Sequence, residues 1–220
     1  MTRNTITRKK GTKMNINYKH ELGMAYLQDI RQFYSPLLCS LDEASFMLNL
    51  APAYGWAPRG ERAVIHQPGK RTVTYTLILC VCPVGVLNWS LRSGTVDSEV
   101  FSEFLGRLPD GITLMLDNAR IHHASHSLRD KGLPTIVEKA EAKNMTLKYI
   151  PAYAPHLNPV EFVFNTVRQL LRSREAWTEP ILQKAMQDLF KTASFSQAAM
   201  TKLFKSVVWG GPHPGTRMST

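Results

Sequence analysis

A β-hairpin in the first half of the chain constrains the fold more than any other sequence feature. Residues 71–82 are rich in β-branched and aromatic side chains, the turn at 83–85 contains Pro and Gly, and residues 85–91 follow as a second strand-like run. Two such runs around a short turn predict neighbouring antiparallel strands. The chain must therefore contain a sheet, to which the other segments add strands or helices.

Short apolar runs alternate with helix-like segments around this hairpin. Strands are predicted at 37–41, 112–116 and 146–150, and helices at 21–33, 97–108, 124–144, 160–174, 180–191 and 196–206. Gly132 and Pro134 interrupt the third of these helices. The order of the elements predicts an α/β fold, in which helices flank a mixed five-stranded sheet.

Composition excludes several classes of protein. The 220 residues are 44% hydrophobic and 20% charged, as in soluble globular proteins. No apolar run reaches the roughly 18 residues of a membrane span, and the first residues contain no signal-peptide h-region, so neither a membrane protein nor a secreted protein is expected. The three cysteines, Cys39, Cys80 and Cys82, are expected to be reduced core thiols of an intracellular protein.

We expect one domain at 37–208, between a basic, partly disordered arm at 1–36 and a loose tail at 209–220.

The net charge of +10 is unevenly distributed. Residues 1–36 carry seven basic and two acidic side chains, whereas residues 37–117 carry six and eight. A basic frame around an acidic middle favours a polyanionic partner, although basic tails can also serve only solubility or targeting. Candidate phosphate contacts, which could equally be a solvated surface, are Arg59, Arg62, Lys70, Arg71, Arg168 and Arg172.

Three acidic residues stand where sites of such folds are built. Asp42 and Asp117 directly follow predicted strands, and Glu161 shares a helix face with Asn165 and Arg168. Carboxylates are the ligands that Mg²⁺ prefers, and two such ions can drive phosphodiester hydrolysis or transfer.

Each acid also has a purely structural explanation. Asp42 could cap a helix that starts at Glu43, a residue that also competes with it for any acidic role. Asp117 could be a turn residue. Glu161 could close a capping box with Asn158.

Three stretches of the sequence resemble the catalytic domain of mariner-type transposases, in the DDE/D transposase and integrase superfamily. They are LDEASF at 41–46, LMLDNARIHHA at 114–124 and YIPAYAPHLNPVEFVFNTVRQLLR at 149–172. The segments YGWAPRGE and SGTVDSEVFSEFL are also similar. Family members usually have Ser and Asp where this chain has Ala154 and His156, and the 43 residues between Asp117 and Glu161 are more than usual.

The resemblance implies a ribonuclease H-like fold and a catalytic, metal-binding trio of Asp42, Asp117 and Glu161. Its cofactor would be two Mg²⁺ ions, with Mn²⁺ as a substitute. Asn118, His122 and Asn158 are expected to position ligands or substrate, and His123 and His126 to be surface residues. The implied partner is double-stranded DNA. A homodimer is compatible with the resemblance, and neither a membrane nor a small-molecule substrate is expected.

The implied chemistry is hydrolysis of phosphodiesters at transposon ends, followed by joining of the 3′-hydroxyl to target DNA. An alternative is a domesticated or truncated DNA-binding remnant without catalysis; a ribonuclease H-type hydrolase fits the motifs less well. The first 36 residues are too few for tandem helix-turn-helix modules, so specific recognition of transposon ends is expected to be absent. The location is expected to be intracellular, and nuclear in a eukaryotic host.

Overall fold

A five-stranded mixed sheet forms the centre of the fold in the computed structural model, which describes residues 15–33, 35–47, 56–64, 73–123, 126–171 and 178–210. The strands are β1 (Leu38–Met47), β2 (Thr74–Cys82), β3 (Gly85–Ser93), β4 (Thr113–Leu116) and β5 (Thr146–Tyr149). Their order across the sheet is β3-β2-β1-β4-β5. The predicted α/β class and five-stranded sheet are therefore confirmed.

The described ranges contain seven α-helices. They are α1 (His20–Ile30), α2 (Ser98–Gly106), α3 (His126–Arg129), α4 (Ile136–Ala142), α5 (Pro159–Leu171), α6 (Glu179–Phe190) and α7 (Gln197–Phe204). Short 3₁₀ helices occur at Ser35–Leu37, Arg120–His123, Pro155–Leu157 and Ala193–Phe195, and a π-helical turn follows α7 at Lys205–Trp209. None of the helices in these ranges is long and apolar enough to cross a membrane.

Both kinds of strand pairing meet at β1. It runs antiparallel to β2, and β2 forms the predicted hairpin with β3, whereas β1 runs parallel to β4 and β4 runs parallel to β5. The pairing with β4 covers only Leu38–Ser40, while the pairing with β2 continues to Met47. The second half of β1 therefore has one edge that faces the loop after β4.

Alternation along the central strands divides the core into two layers. Leu77 and Leu79 of β2 pack with α1, α5, α6 and α7, whereas Ile78 and Cys80 pack with α2 and α4 on the other face. This period of two is what a strand buried on both faces produces. All three cysteines are buried and unpaired, as expected of core thiols.

Two sequence predictions differ from the described structure in their extent. The predicted helix at 124–144 is two short helices, because the chain turns at Gly132 with φ +68° and Thr135 starts α4 with a capping box to Glu138. In addition, α1 lies within the stretch predicted as a basic arm, yet its Leu27 and Ile30 are fully buried in the core. Residues 1–14 of the arm and 211–220 of the tail lie outside the described residues.

Candidate active site

Asp42 lies within β1 and not after its end. The sequence predicted a strand ending at residue 41, but residues 40–47 of β1 pair with β2. The strand can continue through the polar residues Asp42 and Glu43 because β2 supplies hydrogen-bonding partners for their backbone groups. The local sequence does not show this pairing. The alternative in which Asp42 caps a helix starting at Glu43 is therefore wrong.

Asp117 reaches the same place from the neighbouring strand. It directly follows β4, as predicted, and its Oδ1 accepts a hydrogen bond from the backbone amide of Ala119 at 2.9 Å. Asn118 donates its side-chain amide to the backbone oxygen of Ile150, just after β5. This bond fastens the loop that carries Asp117 to the end of the next strand.

Glu161 comes from the first turn of α5, and β1 itself fixes the start of that helix. The hydroxyl of Ser40 accepts a hydrogen bond from the Val160 amide at 3.0 Å and donates one to the side-chain oxygen of Asn158. The side-chain nitrogen of Asn158 in turn donates to Asp42 Oδ2 at 3.1 Å. The side chain of Asn158 thus joins Ser40 to Asp42 and is not the capping-box partner of Glu161.

The three predicted acids line one open cavity of about 310 Å³. Its wall comes from β1, the loop after β4, the segment after β5 and the first turn of α5. The lining residues are Asp42, Asp117, Asn118, Ala119, Ile150, Pro151, Ala152, Tyr153, Ala154, Pro155, Asn158 and Glu161. The fold therefore brings together carboxylates that are 75 and 44 positions apart in the sequence.

Negative charge accumulates in this cavity. Burial raises the pKa of Asp42 to about 8, and the nearby carboxylates of Asp117 and Glu161 add to the shift. Burial also raises the pKa of Glu161, opposed by Arg168 and reinforced by Asp117. Partial desolvation and repulsion between like charges destabilise the ionised form of such carboxylates. A cation bound between them stabilises that form.

His122 is fully buried behind Asp117, between two carboxylates. Its Nδ1 lies 2.8 Å from Asp117 Oδ1, and its Nε2 lies 3.2 Å from Glu43 Oε2. Burial alone would lower the pKa of His122, but the hydrogen bonds to both carboxylates raise it to about 10. Burial likewise raises the pKa of Asp117, yet the bonds from His122 and Ala119 outweigh it and the net pKa is below the ordinary value. The pair is therefore an imidazolium beside an ionised carboxylate.

The donor set of the cavity fits a hard divalent cation. Asp42, Asp117 and Glu161 offer only oxygen, which is the ligand chemistry of Mg²⁺ and Mn²⁺ sites. In the described part of the chain, no three His, Cys, Asp or Glu side chains already stand as ligands of one ion. The three acids therefore surround a common space without forming a closed set of ligands.

Only three of the six predicted phosphate contacts are among the described residues. Arg59 and Arg62 are exposed, whereas Lys70, Arg71 and Arg172 lie outside the described residues. Arg168 is half-buried on α5, with its guanidinium carbon 5.5 Å from the centre of the Phe46 ring. Among the described cations of this set, which are Arg59, Arg62 and Arg168, Arg168 influences a cavity carboxylate, Glu161.

The two histidines that were predicted to be surface residues are exposed. His123 and His126 are exposed, as predicted, and the ring of His123 stacks on Tyr149 with centroids 4.1 Å apart.

Sequence reasoning missed the residues that hold the site together. Ser40 connects β1 to α5 across 118 positions, and Glu43 reaches His122 across 79. Their only sequence signal is adjacency: both lie within two residues of Asp42. Tyr153, which lines the cavity with φ +61°, lies within the stretch at 149–172 that carries the family resemblance but was not selected as a site residue.

Solved structures with this fold come from a mariner transposase. The chain matches the Mos1 transposase paired-end complex with the left transposon end at a TM-score of 0.72 and 14% identity, over 94% of this chain and 65% of that one. The catalytic domain of Mos1 mariner transposase matches at 0.61 and 13%, over 90% and 94%. A structure of that catalytic domain with raltegravir and Mg matches at 0.59 and 15%, over 86% and 88%.

These likenesses confirm the ribonuclease H-like fold that the sequence resemblance implied. The chain spans about two thirds of the length of the Mos1 chains in the paired-end complexes. No curated protein sequence matches it. The family model described as DDE superfamily endonuclease matches residues 37–181, well over half of the chain and including all three cavity carboxylates. This chain therefore belongs to the DDE superfamily of endonucleases, as its sequence motifs predicted.

Proposed function

We propose that this chain is the metal-dependent nuclease and strand-transfer core of a DDE transposase. It would hydrolyse phosphodiesters at transposon ends and join the freed 3′-hydroxyl to target DNA. The observation that carries the proposal is the convergence of Asp42, Asp117 and Glu161 on one cavity, from three separate elements of a DDE endonuclease fold.

Asp42, Asp117 and Glu161 are the residues that would hold the metal, two Mg²⁺ ions or Mn²⁺ in their place. Structures of the Mos1 catalytic domain include Mg and Mn forms, which supports this choice. Bound there, such ions would neutralise the phosphate, activate the attacking water or hydroxyl and stabilise the leaving oxygen.

The protein's own contribution is to fix the three carboxylates. Asp42 is held on a central strand by the Glu43 amide at Oδ1 and by Asn158 at Oδ2, so both of its oxygens have a defined direction. Glu161 is held by the anchored first turn of α5. Rigid elements that present charged groups in advance of substrate binding are the usual source of electrostatic catalysis.

Double-stranded DNA is the proposed partner. The net charge of +10 attracts a polyanion, and Arg168, two turns after Glu161 on α5, acts on the Glu161 carboxylate through its charge. Exposed Arg59 and Arg62 are further candidates for phosphate contacts. A homodimer and, in a eukaryotic host, a nuclear location belong to the same proposal.

Nicking of supercoiled plasmid tests the proposed activity. Wild-type protein with Mg²⁺ or Mn²⁺ is expected to nick DNA, while Asp117→Asn and Glu161→Gln should lower the rate by at least about a thousandfold, because each removes a charged ligand from the cavity. The matched controls are Asp130→Asn and Glu141→Gln, two exposed acids outside the cavity, which should nick like wild type.

The same assay separates the competing functions. Folded wild-type protein that binds DNA with a steep salt dependence but never nicks it would favour the non-catalytic remnant. Preferential cleavage of RNA–DNA hybrids in a substrate panel would favour the ribonuclease H-type hydrolase. Nicking that survives in both cavity variants would contradict the proposed site.

A further inference from the structure

Two consecutive acids of β1 point to opposite faces of the sheet. Asp42 lines the cavity and bonds to Asn158. The side chain of Glu43 is only 12% exposed, does not line the cavity and contacts Nε2 of His122 with both carboxylate oxygens, at 3.3 and 3.2 Å. The alternation of a strand thus sends one carboxylate to the proposed metal site and the next to the residue behind it.

His122 is held in one orientation from several sides. Its ring is tilted by 35° against Phe101 with centroids 4.4 Å apart, and its backbone oxygen accepts a hydrogen bond from the Tyr149 hydroxyl at 3.0 Å. With Nε2 directed at Glu43, the other nitrogen, Nδ1, faces Asp117, 2.8 Å from Oδ1 and 3.2 Å from the backbone oxygen. The imidazole therefore connects Glu43 on β1 to the Asp117 carboxylate.

The contacts of Asp117 divide its two oxygens by role. Within the described part of the chain, the hydrogen bond from the Ala119 amide and the 2.8 Å ion-pair contact from His122 Nδ1 both end on Oδ1. Oδ2 is then the oxygen available to a ligand in the cavity. A side chain that is 47% exposed would otherwise rotate freely about its last bond, since that torsion has broad minima.

We propose that Glu43 and His122 are positioning residues that orient Asp117 for metal binding. The proposal rests on the proposed function, because it assumes that Asp117 is a metal ligand. It gives the consecutive residues Asp42 and Glu43 separate roles, in which Asp42 binds the metal directly and Glu43 fixes the other aspartate through His122. Asp42 and Glu43 are neighbours on β1. In this proposal, that strand therefore sets the distance between the carboxylates of Asp42 and Asp117.

Binding of Mn²⁺ alone, followed by the electron paramagnetic resonance signal of the free ion, tests this role without DNA or turnover. Glu43→Ala should weaken the tightest Mn²⁺ site by about tenfold to a hundredfold, the usual effect of removing a residue that orients a ligand. Glu43→Gln should stay within about threefold of wild type, because its amide oxygen still accepts a hydrogen bond from His122. The matched controls, Glu141→Ala and Glu141→Gln, should bind Mn²⁺ like wild type.

The outcomes distinguish this proposal from the proposed function. If Asp117→Asn loses Mn²⁺ binding but folded Glu43→Ala keeps wild-type affinity, the positioning role is wrong and the metal site stands. If Asp117→Asn itself binds Mn²⁺ like wild type, the proposed function is wrong.

A second variant covers the case in which Glu43→Ala does not fold, as judged by circular dichroism. Glu43→Leu combined with His122→Phe replaces a buried charged pair by an apolar one, an exchange that proteins often tolerate. The double variant should lose Mn²⁺ affinity to the same extent as expected for Glu43→Ala. Wild-type affinity in the folded double variant would overturn the proposal.

Discussion

Asp42 is the residue at which stability and function conflict most clearly. The residue is 8% exposed, and its carboxyl group lies near two other cavity acids and has a pKa raised to about 8. Near neutral pH the unfolded chain ionises this group fully, whereas the folded metal-free protein resists its ionisation. Folding therefore becomes less favourable as pH rises from about 4 to about 8, and the loss is complete above the folded pKa.

Replacing Asp42 by Asn should for this reason stabilise the metal-free protein at neutral pH. The expected increase in the free energy of unfolding is on the order of 1–3 kcal/mol at pH 7.5. This figure allows for the loss of one hydrogen bond, because the single amide oxygen of Asn cannot replace both carboxylate oxygens as acceptors from Asn158 and the Glu43 amide. The gain should shrink towards pH 4, where the carboxyl group of folded wild type is protonated and that of the unfolded chain is about half protonated. Urea unfolding at the two pH values measures this difference, and Asp130→Asn is the control for an exposed carboxylate.

A variant less stable than wild type at pH 7.5 would contradict the charge argument. It would mean that the hydrogen bonds of Asp42 outweigh its repulsion from the other cavity acids. Mn²⁺ should stabilise wild type and have little effect on Asp42→Asn, because binding to the folded state alone shifts the unfolding equilibrium.

At the scale of elements, the junction between β1 and α5 decides where Glu161 stands. Pro159 begins α5 without an amide hydrogen, so the first amide that requires a partner is that of Val160. Ser40 supplies this partner from the strand and also bonds Asn158. A residue of the sheet therefore caps the helix, and the same hydroxyl connects the supports of Asp42 and Glu161.

Ser40→Ala should consequently affect both stability and the site. The loss of a buried cap and of the bond to Asn158 should reduce the free energy of unfolding by about 1–2 kcal/mol. Metal-dependent nicking should also fall, since the first turn of α5 loses its attachment to β1. Ser45→Ala on the exposed part of β1 is the matched control for urea unfolding and nicking.

Unchanged stability in Ser40→Ala would show that the helix start does not depend on this hydroxyl. Reduced stability in Ser45→Ala to the same extent would attribute the effect to the strand as a whole and not to the cap.

Across the whole molecule, what the sequence could predict followed from local patterns. The hairpin of β2 and β3, the strand that ends before Asp117 and the helix that carries Glu161 each have a clear periodicity or turn signal, and the structure contains all of them. The extension of β1 through Asp42 had no such signal, because it depends on pairing with β2, more than 30 residues away. Registers of this kind are fixed by tertiary contacts that a local pattern does not contain.

The candidate site divides in the same way. Asp42, Asp117 and Glu161 could be selected from motifs, since each follows or begins a recognisable element. Ser40, Glu43 and the orientation of His122 could not, because their partners lie 79 or more residues away and only the folded sheet brings them together. Sequence motifs thus identify the groups that perform the chemistry more readily than those that hold them in place.

Anomalous diffraction from crystals grown with Mn²⁺ would locate metal ions at the proposed carboxylate centre. We expect Mn²⁺ peaks in the cavity coordinated by Asp42, Asp117 and Glu161, with a spacing of about 4 Å if both ions are present. Asp117→Asn crystals should lose the peak that contacts this residue. Mn²⁺ bound elsewhere on the protein, with none on these three carboxylates, would contradict the account.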